Sequence, residues 1–133
     1  MLVKRCSLKE QLSDTWKIIF DLALILIAAA IGHFINDRGA IQGMLVGAVV
    51  GISLHWRATT KASVSIKNGT VPYAKKWIEE KGYTLGANGG EFIPSMHRLL
   101  RFDSQNIKFM RIDNSSTRMF GPYYMLKMFI KNI

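Results

Sequence analysis

The chain has 133 residues, is 49% hydrophobic, carries a formal net charge of +9 and holds one cysteine. If about forty residues lie in a bilayer, only one small soluble domain can follow them. Cys6 alone cannot close an internal disulfide, which fits a reducing compartment, and the chain has neither an internal repeat nor a low-complexity tract.

Residues 1–17 carry Lys4, Arg5, Lys9 and Lys17 against Glu10 and Asp14, a net of +2. Leu8, Leu12 and Trp16 recur every four residues, which predicts a short amphipathic helix lying on the cytoplasmic membrane surface, with Trp16 at the interface. Residues 18–35 form an apolar run long enough for a first spanning helix. Asp21 interrupts that run. A charge inside a membrane helix is a functional candidate, for a proton or an ion, but a snorkelling pair with Lys17 one turn earlier is the simpler account. His33 and His55 sit near the ends of their apolar runs and read as interfacial residues, since neither has a partner at metal-binding spacing. A cleaved signal peptide ending at Ala28-Ala29-Ala30 is a competing reading; the apolar run continues through Ile35, which favours a span.

Asn36-Asp37-Arg38-Gly39 is short and polar enough to turn the chain into an antiparallel hairpin. The second helix is the stretch around which the chain is organised, with glycine at 39, 43, 47 and 51. Four glycines at this spacing share one helix face. In water each would cost the helix roughly 1 kcal/mol relative to alanine, whereas in lipid a small-residue stripe lets two backbones approach closely. Gly39, Gly43, Gly47 and Gly51 are therefore expected to pack against another helix, in the same chain or in a copy of it. Residues 40–56 contain no charged side chain and span roughly 26 Å. A buried soluble helix or a glycine-rich strand is the alternative. The turn is neutral and the basic residues flank the other ends, so both termini are expected on the cytoplasmic side of a bacterial inner membrane.

Residues 57–133 hold 13 Lys and Arg against 5 Asp and Glu. The stretch from Arg57 to Lys67 reads either as a continuation of the second helix or as a strand through Val64 and Ile66, ended by Asn68-Gly69. Thr70 and Pro72 open a predicted helix of about three turns that Gly82 stops. Tyr83–Leu85 and Glu91–Ile93 flank Asn88-Gly89, a hairpin signal. Arg98–Phe102 and Ile107–Ile112 suggest a second hairpin, followed by a turn at Asn114-Ser115-Ser116 and a strand at Thr117–Phe120. Tyr123–Ile133 reads as a closing helix with Leu126, Phe129, Ile130 and Ile133 inward and Lys127 and Lys131 outward. The expected fold is a two-helix transmembrane hairpin over residues 18–56, followed by a small basic cytosolic α+β domain over 57–133.

No catalytic constellation is present, and no metal or cofactor motif: there is no P-loop, no GxSxG, no HExxH and no paired cysteines. Gly86, Gly89 and Gly90 precede a predicted strand and read as a turn instead of a phosphate loop. What remains is a basic domain beside a membrane. His97, Arg98 and Arg101 form one cluster, Lys108, Arg111 and Arg118 a second, and Lys75 and Lys76 a third, with Tyr73, Phe102, Phe109 and Phe120 interleaved. The first two clusters are the candidate ligand-binding residues, because guanidinium groups fork onto phosphate and aromatic faces stack bases. Attraction to anionic lipid explains the same charge without a specific site.

A short N-terminus, a membrane hairpin and a compact basic domain together resemble the two-helix membrane effectors of type III CRISPR systems. That resemblance is one of architecture and carries no residues over. It implies a homo-oligomeric antiviral protein that senses cyclic oligoadenylate and alters membrane permeability. A non-catalytic accessory subunit of a larger membrane complex, a holin, and an immunity protein against a pore-forming toxin are the alternatives.

Overall fold

The computed structural model describes residues 2–35 and 38–133, so Asn36 and Asp37, assigned above to the hairpin turn, lie outside the described residues. Two helices, α2 (Thr15–Ile35) and α3 (Arg38–Ala58), have 21 residues each and are long and apolar enough to cross a membrane. At 1.5 Å per residue each measures about 31 Å. They pack antiparallel, with Asp21 opposite His55 at one end and Gly32 against Ile41 and Met44 near the other. The less exposed positions recur every three or four residues: Lys17, Asp21, Leu24, Ala28 and Gly32 on α2, and Ile41, Met44, Ala48, Ile52 and His55 on α3. Most of the remaining hairpin surface is apolar and exposed, Leu26 at 69% and Val49 at 64% among it.

Gly43, Gly47 and Gly51 do not form the seam of this hairpin. A Cβ added at Gly43, Gly47 or Gly51 would meet nothing within 4 Å. For Gly43, Gly47 and Gly51 the same-chain half of the packing expectation is thereby corrected: α3 turns Ile41, Met44, Ile52 and His55 toward α2, and these three glycines flank that contact with open space above them.

The N-terminal segment also departs from expectation. In place of an amphipathic surface helix it forms β1 (Lys4–Arg5) and a single turn, α1 (Leu8–Gln11). Ser7 and Glu10 cap each other reciprocally, which starts a short turn and not a long helix. Beyond it, the Gln11 side chain accepts from Lys61 N–H at 2.8 Å and donates to Lys61 O at 2.7 Å. Those two bonds mimic a strand partner and pin the segment to the domain.

After α3 the chain enters β2 (Lys61–Lys67), then α4 (Val71–Glu80), β3 (Tyr83–Leu85), β4 (Glu91–Pro94), β5 (Ile107–Arg111), β6 (Ser116–Pro122) and α5 (Tyr123–Lys131). The strands make one antiparallel sheet in the order β1-β2-β6-β5-β4-β3. Because strand side chains alternate, Val64 and Met119 face one side while Ser63 and Phe120 face the other. The inner face, with Ala62, Val64, Ile66, Phe92, Ile107 and Met119, is covered by Trp77 and Ile78 of α4 and by Leu126 and Phe129 of α5.

Gly82 and Gly89 have φ of +84° and +66°, so the helix stop and the hairpin turn both use backbone geometry that glycine adopts readily. Arg98–Phe102 is not a strand. Arg98–Leu100 and Asp103–Gln105 are 3-10 turns, and β5 pairs with β6 across a turn held by Asp113. The Asp113 carboxylate accepts from both Ser115 N–H and Ser116 N–H at 2.7 Å. Ile133 is 58% exposed and contributes little to the core.

Candidate anion site at the hairpin and domain junction

Only Thr59 and Thr60 separate α3 from β2. Both hydroxyls donate to carbonyls of the last turn: Thr59 to His55 O at 2.8 Å, beside the bond His55 O already accepts from Thr59 N–H, and Thr60 to Trp56 O at 2.7 Å. The same segment accepts from Tyr123 N–H, the start of α5, through Thr60 O at 2.8 Å. The end of α3, strand β2 and α5 are thus fastened at one point.

On the α2 side the fastening is ionic and aromatic. Asp14, 4% exposed, caps α2 by accepting from Lys17 N–H at 3.2 Å and reaches across to accept from Ser104 N–H at 2.9 Å. Asp21 Oδ1 lies 2.7 Å from His55 Nδ1, a contact that ties the two helices together. The expected Lys17–Asp21 pair is replaced by this interhelical one. The His55 ring in turn packs edge-on against Phe102, centroids 4.7 Å apart, and Phe20 touches both rings. Lys17 is fully buried with Nζ 3.8 Å from the centroid of Trp56 and without a hydrogen-bond acceptor among the described residues.

These fastenings leave a cleft of about 660 Å³ between the end of α3, β1 and the outer face of α5. Arg5, Arg57, Lys127 and Lys131 line it together with Thr60, Tyr123 and Tyr124; no carboxylate does, among the described residues. The Arg5 guanidinium carbon sits 4.8 Å from the Tyr123 ring centroid and Lys127 Nζ 6.0 Å from it. Tyr123, Lys127 and Lys131 recur every fourth residue, so a single helix face presents an aromatic ring and two ammonium groups. Four cations around an open cleft of this size fit a phosphorylated ligand, since small-molecule sites span about 300–1,000 Å³. A smaller hollow of about 260 Å³ shares Arg5 and Thr60 with it and includes Lys17 and Trp56.

The residues proposed from sequence are only partly assembled. Arg98 and Arg101 do come together, lining a hollow of about 390 Å³ with Trp16, but Asp103 shares that hollow and reduces its positive potential. His97 lies just before them and is exposed. Lys108 is paired with Glu91 at 2.6 Å, which together with Asn106 Nδ2 holds the Glu91 carboxyl below its ordinary range. Arg111 is folded onto Asp113 O and the Asn114 side chain. Arg118 stands on the open face of β6 opposite Met110. The second cluster is therefore spread along β5 and β6, with two of its three members committed to local partners.

Arg5, Arg57, Lys127 and Lys131 escaped the sequence reading because they come from three elements that only the sheet brings together. The spacing of Tyr123, Lys127 and Lys131 was the one local signal. Among the described residues no three His, Cys, Asp or Glu side chains gather into a metal site. No protein-family model, curated protein or solved structure matches this chain.

Proposed function

We propose that this protein is a two-span membrane receptor, without catalytic chemistry, that binds a phosphorylated anion in the junction cleft and couples its occupancy to the hairpin. The observation that carries this reading is the convergence of Arg5, Arg57, Lys127 and Lys131 on one cleft at the end of α3. The exposed apolar surface of both long helices supports membrane insertion, because a soluble fold rarely leaves so large a contiguous apolar patch uncovered. The basic balance of residues 57–133 favours the cytoplasmic side for the folded domain.

Coupling follows from construction. A ligand held between Arg57 and Lys127 bridges the last turn of α3 and the face of α5, two elements that meet at the Thr59–Thr60 link, where Tyr123 N–H bonds to Thr60 O. A cyclic oligonucleotide is one ligand of this chemistry. A large ring of nucleotides would need clefts from several subunits, which is where the homo-oligomer reading enters.

The test uses the full chain in detergent micelles at fixed salt, with pyrophosphate, cyclic tetra-adenylate and a short-chain phosphatidylglycerol as probes. The expected result is a ligand-dependent rise in melting temperature with at least one probe, lost in Arg57→Gln/Lys127→Gln. No rise with any of the three, or a rise that survives the double substitution, overturns the proposal.

A further inference from the structure

We infer that the junction cleft takes its ligand from the membrane: the headgroup of an anionic phospholipid, with an acyl chain lying along the glycine face of α3. This rests on the receptor reading above and names its ligand. The cleft stands at headgroup level, because Arg57 is in the last turn of a helix that carries no Lys, Arg, Asp or Glu from residue 39 to 56, and Trp16 and Trp56, at the start of α2 and the end of α3, mark the same end of the hairpin. Basic pockets at this depth, beside a spanning helix, suit lipid phosphates.

The glycine face lies directly beneath it. Ala58 lines the cleft. At 100° per residue, Gly51 and Gly47 fall within about 20° of Ala58 around the helix and Leu54 within about 40°. The side of α3 that opens into the basic cleft is thus the side on which glycine leaves space, since a Cβ at Gly47 or Gly51 meets nothing within 4 Å. From Ala58 to Gly47 is roughly 16 Å along the helix, about the depth of one leaflet. Positive charge at the top and a glycine-lined apolar helix face of leaflet length below it match the two ends of a phospholipid. A soluble phosphate would use the charge and leave the glycine face without a role.

The experiment is native mass spectrometry of the full chain after equilibration in micelles holding equal phosphatidylglycerol and phosphatidylcholine. Retention of phosphatidylglycerol over phosphatidylcholine is expected. Arg57→Gln/Lys127→Gln should weaken that retention roughly 30-fold, at two near-surface cations removed. Gly47→Leu keeps every cation and its Cβ meets nothing within 4 Å, so it should lower retention by covering the glycine face while the assembly mass stays the same. Equal retention of both lipids, or undiminished phosphatidylglycerol in the double variant, overturns the inference. So does full retention in Gly47→Leu, which would return the glycine face to helix packing. If pyrophosphate or cyclic tetra-adenylate binds in a manner sensitive to Arg57 and Lys127 and no lipid is retained, this inference fails and the receptor reading stands; if none of the three binds, both fail.

Discussion

Asp14 holds the folded domain to the hairpin, and Asp14→Asn separates its two tasks. One carboxylate oxygen caps α2 at Lys17 N–H and the other accepts from Ser104 N–H. A side-chain amide has one acceptor oxygen, so whichever way the substituted amide flips, one of these buried donors faces an NH2 group. The lost bond is charge-assisted, and such bonds contribute about 1.5–3 kcal/mol. Opening of the segment that carries Ser104 should therefore become about 10- to 150-fold more frequent. Phe102 keeps its contacts with His55 and Phe20, so the segment should open more often without being released. Hydrogen exchange of the full chain in micelles reads this directly: amides of residues 102–106 should exchange faster in Asp14→Asn, while those of β2 and β6 are unchanged. Asp14→Ala should add the loss of the cap, typically about 1 kcal/mol, seen as faster exchange in the first turn of α2. Unchanged exchange at residues 102–106 in both variants would show that Asp14 does not hold the junction.

Three further outcomes follow from the domain. Phe129 is fully buried, with Trp77 at 5.3 Å between ring centroids, so Phe129→Ala should cost about 3–5 kcal/mol in denaturant unfolding followed by tryptophan fluorescence; a cost under about 1 kcal/mol would mean the core is elsewhere. Hydrogen bonds from Ser115 and then Ser116 lower the Asp113 carboxyl from 3.8 to about 2. The turn is thus stabilised above the ordinary carboxylate range and loses that contribution as pH falls through about 2; a carboxyl NMR midpoint near the ordinary aspartate value of about 4 would contradict it. Burial first, and Glu10 second, push the Cys6 thiol up, outweighing Lys61, so iodoacetamide at neutral pH should alkylate it more slowly than a free thiol such as glutathione. Equal rates would mean that the β1 edge opens freely.

Where the sequence was legible, the signal was local. Long apolar runs, Gly82 after a helix and Asn88-Gly89 between strands each state their outcome within a few residues, and α2, α3, α4, β3 and β4 form where those signals stand. The N-terminus failed because Leu8, Leu12 and Trp16 carry a helical period, yet Ser7–Glu10 capping and the Gln11 clasp on Lys61, fifty residues away, win over it. Arg98–Phe102 failed for a related reason. Its apolar residues looked like strand, but Phe102 is spent on His55 and Phe20, a contact between the domain and the hairpin that no window on the sequence contains. The members of each candidate cluster are neighbours along the chain. On a strand, neighbours point to opposite faces, so Lys108 and Arg111 diverge; on α5, residues four apart converge.

The junction gives a reason for the two threonines that a flexible linker would not. A domain tethered by a loose segment could bind a ligand without moving its anchor. Here α3 passes into β2 in two residues whose hydroxyls close the helix, Gln11 brackets Lys61 from the N-terminal side, and Tyr123 N–H bonds to Thr60 O. Arg57 before the link and Lys127 beyond it face the same cleft. An anion that draws them together must therefore turn α3 against the sheet or shift α5, and the first of these bears on the Asp21–His55 contact one turn into the hairpin. Lengthening the link with a Gly-Ser pair after Thr60 should leave anion binding in place while removing its effect on the hairpin. In micelles, protection of the amides around residues 20–24 and 52–56 would then stop responding to ligand; a response that persists would mean the signal travels through Asp14 and Phe102 instead.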